Sequence, residues 1–205
     1  MLLALLSPLL LPLLSFCHCL CYCFANGKSI PRQILGLIFG LKYGIIWSVL
    51  GDVMGIFNPD YRDMITCLQG EGVEFMLVGG YAVGLYGWPR MTFDIDFWVW
   101  ANEENAGKVM RALRKFGAPL MDLAEEDFHR PGMVFQIGTA PQRIDLLSGV
   151  DGVRYEDAVK RAVEMEVDGL KLKVISIDDL ILNKKASGRA KDLADAEALE
   201  KLKEV

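Results

Sequence analysis

The apolar and polar residues divide the chain into two regions with different patterns. Residues 1–53 are almost continuously apolar and hold only three basic side chains and one acidic side chain. From residue 54 onward, apolar residues recur with helical or strand periodicity between short polar and glycine-containing segments. The pattern predicts one folded domain over residues 54–205, preceded by an apolar extension over residues 1–53.

Helices are predicted where a capping residue precedes apolar positions spaced three or four residues apart. Asn58 is a suitable N-cap, with Pro59 at the first helical position, and Asn102 is a second N-cap. Ser176 with Asp179 resembles a capping box. Helices are therefore predicted to begin near residues 59, 81, 102, 155, 176 and 191.

Strands are predicted where β-branched and aromatic residues cluster between turn signals. The segments are EFMLV, FDIDFWVW, MVFQIG, RIDLLSG and a hairpin that turns at Asp168-Gly169. Helices and strands alternate along the chain. This order predicts an α/β (α+β) fold with one small mixed sheet, flanking helices and a helical C-terminus.

Three interpretations of residues 1–53 remain open. The segment is long and apolar enough for a membrane anchor, which would give a membrane-anchored protein. A secretory signal would need a basic start and a small-residue cleavage site, but the first basic residue is Lys28 and no such site is evident. The third interpretation, which we favour, is that Met54 is the functional start.

The cysteines and the net charge narrow the class of protein. Four cysteines, at positions 17, 19, 21 and 23, lie in the extension with a spacing unlike that of zinc ligands. The body contains only Cys67, so no disulfide framework is expected, which favours a cytoplasmic location. Of the 22 basic and 27 acidic side chains, the body holds 19 and 26, a formal charge of −7. That charge argues against broad electrostatic binding of duplex nucleic acid.

Two aspartates lie two residues apart on a predicted strand. Asp94 and Asp96 therefore leave the same face, with backbones roughly 6.5 to 7 Å apart. Their charges repel each other, and Mg²⁺, or Mn²⁺, would compensate for the repulsion and the lost hydration. Asp145, in the middle of another predicted strand, is the candidate third ligand. For the pair taken alone, a solvated strand face is the alternative.

A glycine pair lies where a predicted strand is followed by a helix. Gly79 and Gly80 would let the backbone approach a phosphate group, although tight turns also use glycine pairs. Arg90 and Thr92 lie just before Asp94. A guanidinium there could hold a phosphate bidentately, and a hydroxyl could donate a hydrogen bond on the Asp94 face.

Taken together, these motifs resemble those of the nucleotidyltransferase-like proteins of the polymerase-beta superfamily. The matching blocks, within residues 58–200, are Gly79-Gly80, Arg90-x-Thr92-x-Asp94-x-Asp96, Arg143-Ile144-Asp145, and the set Lys184, Arg189, Lys191, Asp192 and Asp195. The branch most similar in these blocks is the small bacterial one related to AbiEii-type toxins of toxin–antitoxin systems. The resemblance implies the nucleotidyltransferase fold and an Mg²⁺-dependent transferase that uses a nucleoside triphosphate such as ATP.

The resemblance also implies a role for each block. The catalytic and metal-binding residues would be Asp94, Asp96 and Asp145. The nucleotide-binding residues would be Gly79, Gly80, Arg90, Thr92, Lys184 and Asp192. Position 81 holds Tyr instead of the family's small hydroxyl residue, which weakens the case for a phosphate contact from that position.

Two other features have alternative explanations. The body's basic cluster, formed by Lys184, Lys185, Arg189 and Lys191, is either a solvated helix end or a site that neutralises a triphosphate or an RNA backbone. Trp98 shares the strand face of the aspartates. It is expected to pack in the core, or alternatively to stack on a base.

Two classes of function follow. The first is an enzyme that moves a nucleoside monophosphate to an acceptor hydroxyl on the 3′ end of a tRNA, a protein or a small molecule, with a cognate antitoxin as a partner. The second is a non-catalytic nucleotide-binding module or regulator of the same fold. The presence of all three carboxylates favours the enzyme.

Overall fold

The computed structural model describes residues 55–121, 123–139 and 142–204. The expectations for residues 1–53, including the membrane anchor and the start at Met54, lie outside the described residues. Among the residues that are described, no helix has both the length and the apolar composition needed to cross a membrane.

The described residues form six α-helices, several of which begin at the predicted caps. They are α1 (Pro59–Gly70), α2 (Gly79–Leu85), α3 (Glu103–Phe116), α4 (Tyr155–Arg161), α5 (Ile177–Ser187) and α6 (Ala190–Lys203), with a 3₁₀ helix at Glu125–Phe128. Asn58, Asn102 and Ser176 each accept a backbone N–H bond at the start of α1, α3 and α5. Helix α2 begins two residues earlier than predicted, so the glycine pair forms its first turn.

Six strands in the described part of the chain form one mixed sheet. They are β1 (Phe75–Val78), β2 (Asp94–Val99), β3 (Val134–Thr139), β4 (Gln142–Leu147), β5 (Val163–Val167) and β6 (Leu170–Val174). Their order across the sheet is β3-β4-β2-β1-β6-β5. The β2–β4 and β1–β6 pairs are parallel, and the other neighbours are antiparallel. The prediction of an α/β fold with a small mixed sheet and a helical C-terminus is confirmed.

The hairpin between β5 and β6 turns at the predicted dipeptide. Asp168 and Gly169 have φ angles of 52° and 76°, which are those of a type I′ turn. The Asp168 carboxylate also accepts the backbone N–H groups of Ile56 and Phe57, at 2.7 and 2.8 Å. The turn therefore holds the segment that leads into α1.

Strand β2 is buried on both faces along most of its length. Ile95, Phe97 and Val99 are fully buried on one face, and Trp98 is 1% exposed on the other. On this second face the strand begins with Asp94 and Asp96, which are only partly buried. Helix α2 contacts β1 and β2 and also touches α5, which packs against α6. The start of β2 is thus the point at which polar side chains reach the edge of the core.

Candidate active site

The register of β2 against β4 brings three aspartates together. Asp96 is the direct partner of Asp145, and Asp94 is the partner of Arg143. Cross-strand partners lie on the same face of a sheet, so all four side chains converge. One carboxylate oxygen from each of Asp94, Asp96 and Asp145 lies within 4.8 Å of those of the other two. We refer to these three residues as the carboxylate cluster.

Arg143 is the cation in direct contact with the carboxylate cluster. Its Nε donates to Asp145 Oδ1 at 2.7 Å, and its Nη2 donates to Asp145 Oδ2 and Asp94 Oδ2, each at 2.8 Å. Two other side chains complete the contacts. Thr92 Oγ1 donates to Asp94 Oδ1 at 2.7 Å, and Gln136 Nε2 donates to Asp145 Oδ2 at 3.1 Å.

Two of these contacts were not predicted from the sequence. Arg143 was recognised as part of a motif, and its position two residues before Asp145 on one strand could have indicated a shared face. Gln136 gave no such signal. Its contact depends on the antiparallel register that places it opposite Asp145. Thr92 lies beside Asp94, as its position in the sequence suggested.

The carboxylate cluster carries more negative charge than Arg143 offsets. Burial is the main reason that the pKa of Asp96 is raised to about 7, and the neighbouring charges of Asp94 and Asp145 raise it further. The Lys184 charge and the Gly80 amide oppose this rise only in part. A divalent cation would relieve the repulsion, and a set of carboxylate oxygens is the donor type that Mg²⁺ and Mn²⁺ prefer. The residues present therefore fit such an ion.

The glycine pair packs against the carboxylate cluster. Gly79 has a φ angle of +67°, and a Cβ atom on it would lie 1.9 Å from Asp96 Oδ2. A Cβ on Gly80 would lie 2.7 Å from Thr92 Oγ1 and 3.2 Å from Arg90 Nη2. Glycine is required at position 79 by both the backbone conformation and the close approach of Asp96. The lack of side chains at both positions lets this backbone lie directly against Asp96 and Thr92.

Arg90, Lys184 and Asp192 belong to a second cluster, which lies largely inside the protein. Lys184 is 4% exposed, and its Nζ lies 2.6 Å from Asp192 Oδ1 and 3.5 Å from Asp195 Oδ2. Arg90 Nε donates to both oxygens of Asp195, at 2.8 and 3.0 Å. Arg189 also donates to Asp192. We refer to these five residues as the ion-pair cluster.

The ion-pair cluster stabilises the charged form of Asp192. Burial alone would raise the pKa of Asp192, but hydrogen bonds from Lys184, Ser187 and Arg189 lower it to about 2. Lys184 is neither part of a solvated helix end nor an exposed phosphate ligand, because carboxylates surround its ammonium group. Lys185 is exposed and pairs with Glu200 instead. The four basic residues predicted to form one cluster are therefore divided between the interior and the surface.

The structure excludes base stacking by Trp98. The ring is 1% exposed and packs edge-on against Tyr155, with centroids 5.2 Å apart. Trp98 shares the face of Asp94 and Asp96 as predicted, but it lies further along β2, where that face is covered. The alternative expectation that this ring stacks on a base is wrong, and the packing role is correct.

The chain has limited similarity to known structures. Two similar solved structures are a proposed nucleotidyltransferase from Thermotoga maritima and the lincosamide antibiotic adenylyltransferase LnuA with lincomycin bound. The first is 19% identical, with a TM-score of 0.46 over 71% of this chain and 94% of that chain. The second is 16% identical, with a TM-score of 0.48 over 72% and 98%.

No curated protein sequence matches this chain. The family described as "Nucleotidyl transferase of unknown function (DUF2204)" matches residues 58–205. The matched region is most of the chain and contains every residue of the carboxylate cluster and the ion-pair cluster. Together with the mixed sheet, it confirms the wider prediction of a nucleotidyltransferase. The chain belongs to this family of nucleotidyltransferase enzymes.

Proposed function

We propose that the carboxylate cluster is the centre of an Mg²⁺-dependent transfer of a nucleoside monophosphate from a nucleoside triphosphate to an acceptor hydroxyl, with release of pyrophosphate. The observation that supports this proposal most strongly is the convergence of Asp94, Asp96 and Asp145 within 4.8 Å, where Arg143 is the one cation among the described residues that contacts them directly. A purely structural cluster would be expected to carry balancing charges, because buried like charges destabilise a fold.

Each carboxylate has a distinct role in this proposal. Asp94 and Asp96 hold the divalent metal, which when bound neutralises phosphate charge and activates the attacking oxygen. Asp145 accepts the proton of the acceptor hydroxyl or completes the metal shell. Its two oxygens are held by Arg143 and Gln136, so its orientation is defined before substrate arrives.

The triphosphate is proposed to lie along the glycine pair. Gly79 lies directly against Asp96, and Gly80 lies against Thr92 and Arg90, so the backbone of the glycine pair adjoins the carboxylate cluster. Arg90 lies beside Gly80 and can contribute a guanidinium, while Thr92 orients Asp94 through its hydroxyl. Lys184 and Asp192 are assigned a supporting role, because both are buried in the ion-pair cluster.

The acceptor is proposed to be the 3′ end of a tRNA, as in the toxin-type enzymes that the motifs resemble. That relationship, and with it a cognate antitoxin, rests on the motif resemblance and stays a prediction. A protein side chain or a small molecule is the alternative acceptor class. We propose a cytoplasmic location, because the body contains only one cysteine. We also propose that residues 54–205 are the functional domain.

Labelled nucleotides test both the activity and the acceptor. The full-length protein is incubated with Mg²⁺ or Mn²⁺, each α-labelled nucleoside triphosphate in turn, total tRNA and a cell lysate. Nuclease and protease treatment then identify the labelled acceptor. We expect label on RNA with the wild type, and none after chelation of the divalent metal.

The matched variants are Asp96→Asn and Asp151→Asn. Asp96 belongs to the carboxylate cluster, whereas Asp151 is exposed in a turn. We expect the first variant to lose at least about a thousandfold in rate and the second to keep wild-type activity. Equal labelling by the wild type and Asp96→Asn would contradict the proposal. Nucleotide binding without transfer to any acceptor would favour the non-catalytic module.

A further inference from the structure

Asp195 links the C-terminal helix to the loop that precedes β2. Its side chain is 3% exposed, and its carboxylate accepts Arg90 Nε across 105 residues of sequence, at 2.8 and 3.0 Å. Lys184 Nζ lies 3.5 Å from Asp195 Oδ2. One buried carboxylate on α6 therefore contacts a cation from α5 and a cation from the loop beside the carboxylate cluster.

The contact with Asp195 fixes the direction of the Arg90 guanidinium. Its Nε is bound to Asp195, and its Nη1 donates to the Met91 carbonyl at 3.3 Å. Its Nη2 lies beside Gly80, 3.2 Å from the position that a Cβ atom would take there. Nη2 is thus held next to Gly80, while Nε is anchored to α6 through Asp195.

The Arg90–Asp195 pair is not needed to join α5 and α6. Lys184 and Asp192 already connect those two helices inside the protein, at 2.6 Å. Arg90 is also the more open member of its pair, with 23% of its side chain exposed compared with 3% for Asp195. A partly exposed arginine anchored by a buried carboxylate is a suitable arrangement for presenting Nη2 to an anionic ligand.

We propose that Asp195 is a positioning residue that aims Arg90 at the triphosphate of the nucleotide bound along Gly79 and Gly80. This inference rests on the proposed function. In the free protein, Asp195 holds Arg90 in place, so less side-chain entropy is lost when the nucleotide binds. Helix α6 thereby becomes part of the nucleotide site although none of its residues needs to touch the ligand.

Equilibrium binding to the full-length protein tests the proposal. The dissociation constants of a non-hydrolysable nucleoside triphosphate and of the matching monophosphate are measured with Mg²⁺ for the wild type, Asp195→Asn, Arg90→Gln and the double variant. We expect Asp195→Asn to weaken triphosphate binding about tenfold and to leave monophosphate binding nearly unchanged. In the Arg90→Gln background, Asp195→Asn should have little further effect, because both act through the same guanidinium.

Two further variants separate positioning from stability. Asp179→Asn is the matched control, because Asp179 is also buried and accepts two bonds from one arginine, Arg161, at 2.9 and 2.7 Å. Asp179→Asn should lower thermal stability without a specific decrease in affinity for the triphosphate. Arg90→Lys keeps the charge, but a lysine cannot bind Asp195 and a phosphate together. It should therefore weaken triphosphate binding as Asp195→Asn does, with a smaller decrease in thermal stability than Asp195→Asn.

The outcomes distinguish this inference from the proposed function. Unchanged triphosphate affinity in Asp195→Asn, or equal losses in the wild-type and Arg90→Gln backgrounds, would overturn the positioning role while the proposed function stands. A wild-type protein that binds no nucleotide with Mg²⁺ or Mn²⁺ would overturn both. A loss limited to the triphosphate and absent from Asp179→Asn would support the inference.

Discussion

The carboxylate cluster and the ion-pair cluster both combine aspartates with cationic side chains, but the ratio of negative to positive charge differs between them. Within the described part of the chain, the carboxylate cluster has three aspartates and one directly bound cation, Arg143. The ion-pair cluster has two aspartates, Asp192 and Asp195, in contact with Lys184, Arg90 and Arg189. The first has an excess of negative charge, whereas the second has a cation for every carboxylate.

The pKa values follow from this difference in charge balance. Burial acts to raise the pKa of both Asp96 and Asp192, and it is the largest influence on each. At Asp96, burial and then the charges of Asp94 and Asp145 raise the pKa to about 7, whereas at Asp192 hydrogen bonds from Lys184, Ser187 and Arg189 lower the pKa to about 2. Buried acids alone therefore do not indicate a metal site. In this protein the candidate metal site is the cluster in which acids outnumber the cations that contact them.

The largest effect is expected when the balance of the ion-pair cluster is broken. Lys184→Met removes the ammonium group and leaves Asp192 and Asp195 with less compensation inside the protein. We expect a loss of about 3–5 kcal/mol in the free energy of unfolding, measured by urea denaturation. Lys185→Met is the control, since its exposed pair with Glu200 should contribute about 1 kcal/mol or less. Equal decreases in the free energy of unfolding of Lys184→Met and Lys185→Met would show that the ion-pair cluster is not a structural unit.

A smaller but specific loss is expected at the glycine that touches the carboxylate cluster. Gly79→Ala places a methyl group against Asp96 and forces alanine into a left-handed backbone conformation. We expect the free energy of unfolding to fall by about 2–3 kcal/mol and the affinity for Mn²⁺ to decrease strongly, both measured by calorimetry.

Gly84→Ala is the matched control for that substitution. Gly84 lies on the same helix, α2, and its Cβ position has no neighbour within 4 Å. Alanine there should be neutral or stabilise the protein by up to about 1 kcal/mol. A Gly79→Ala protein as stable as Gly84→Ala would contradict the close packing of Gly79 against Asp96.

Acid should weaken the ion-pair cluster through Asp192. Its folded pKa of about 2 lies below the ordinary aspartate value, so its contribution is complete above about pH 4 and is lost as the pH falls towards 2. The free energy of unfolding of the wild type should therefore fall by about 2 kcal/mol more than that of Asp192→Asn between pH 4 and pH 2. Parallel pH profiles for the two proteins would show that Asp192 carries no such stabilisation.

The smallest effect, and the one opposite in sign, is expected in the carboxylate cluster. Asp96→Asn removes one negative charge from the carboxylate cluster, in which acids outnumber cations. It should therefore raise the free energy of unfolding by about 1 kcal/mol in the absence of divalent ions. The same variant should lose the increase in melting temperature that Mg²⁺ or Mn²⁺ gives the wild type. Scanning calorimetry with and without the ion measures both. A destabilised Asp96→Asn protein would indicate a structural role for that carboxylate.

Local sequence signals were sufficient for the elements and for part of the candidate site. The caps at Asn58 and Asn102, the turn at Asp168-Gly169 and the shared face of Asp94 and Asp96 depend on residues within four positions of each other. Helical and strand periodicity are properties of the backbone over such distances. The same short-range rules can be applied before any tertiary structure is known.

Only the tertiary structure decided which charges meet. The parallel register that pairs Asp96 with Asp145, the contact of Arg90 with Asp195 and the burial of Lys184 join residues far apart in sequence. Choosing among many acidic and basic residues requires the packing of α5 and α6 and the order of the strands, because the electrostatic energy depends on separation and burial in space. The sequence by itself therefore determined the type of chemistry, and the packing of the sheet and helices determined which carboxylates are free to carry it out.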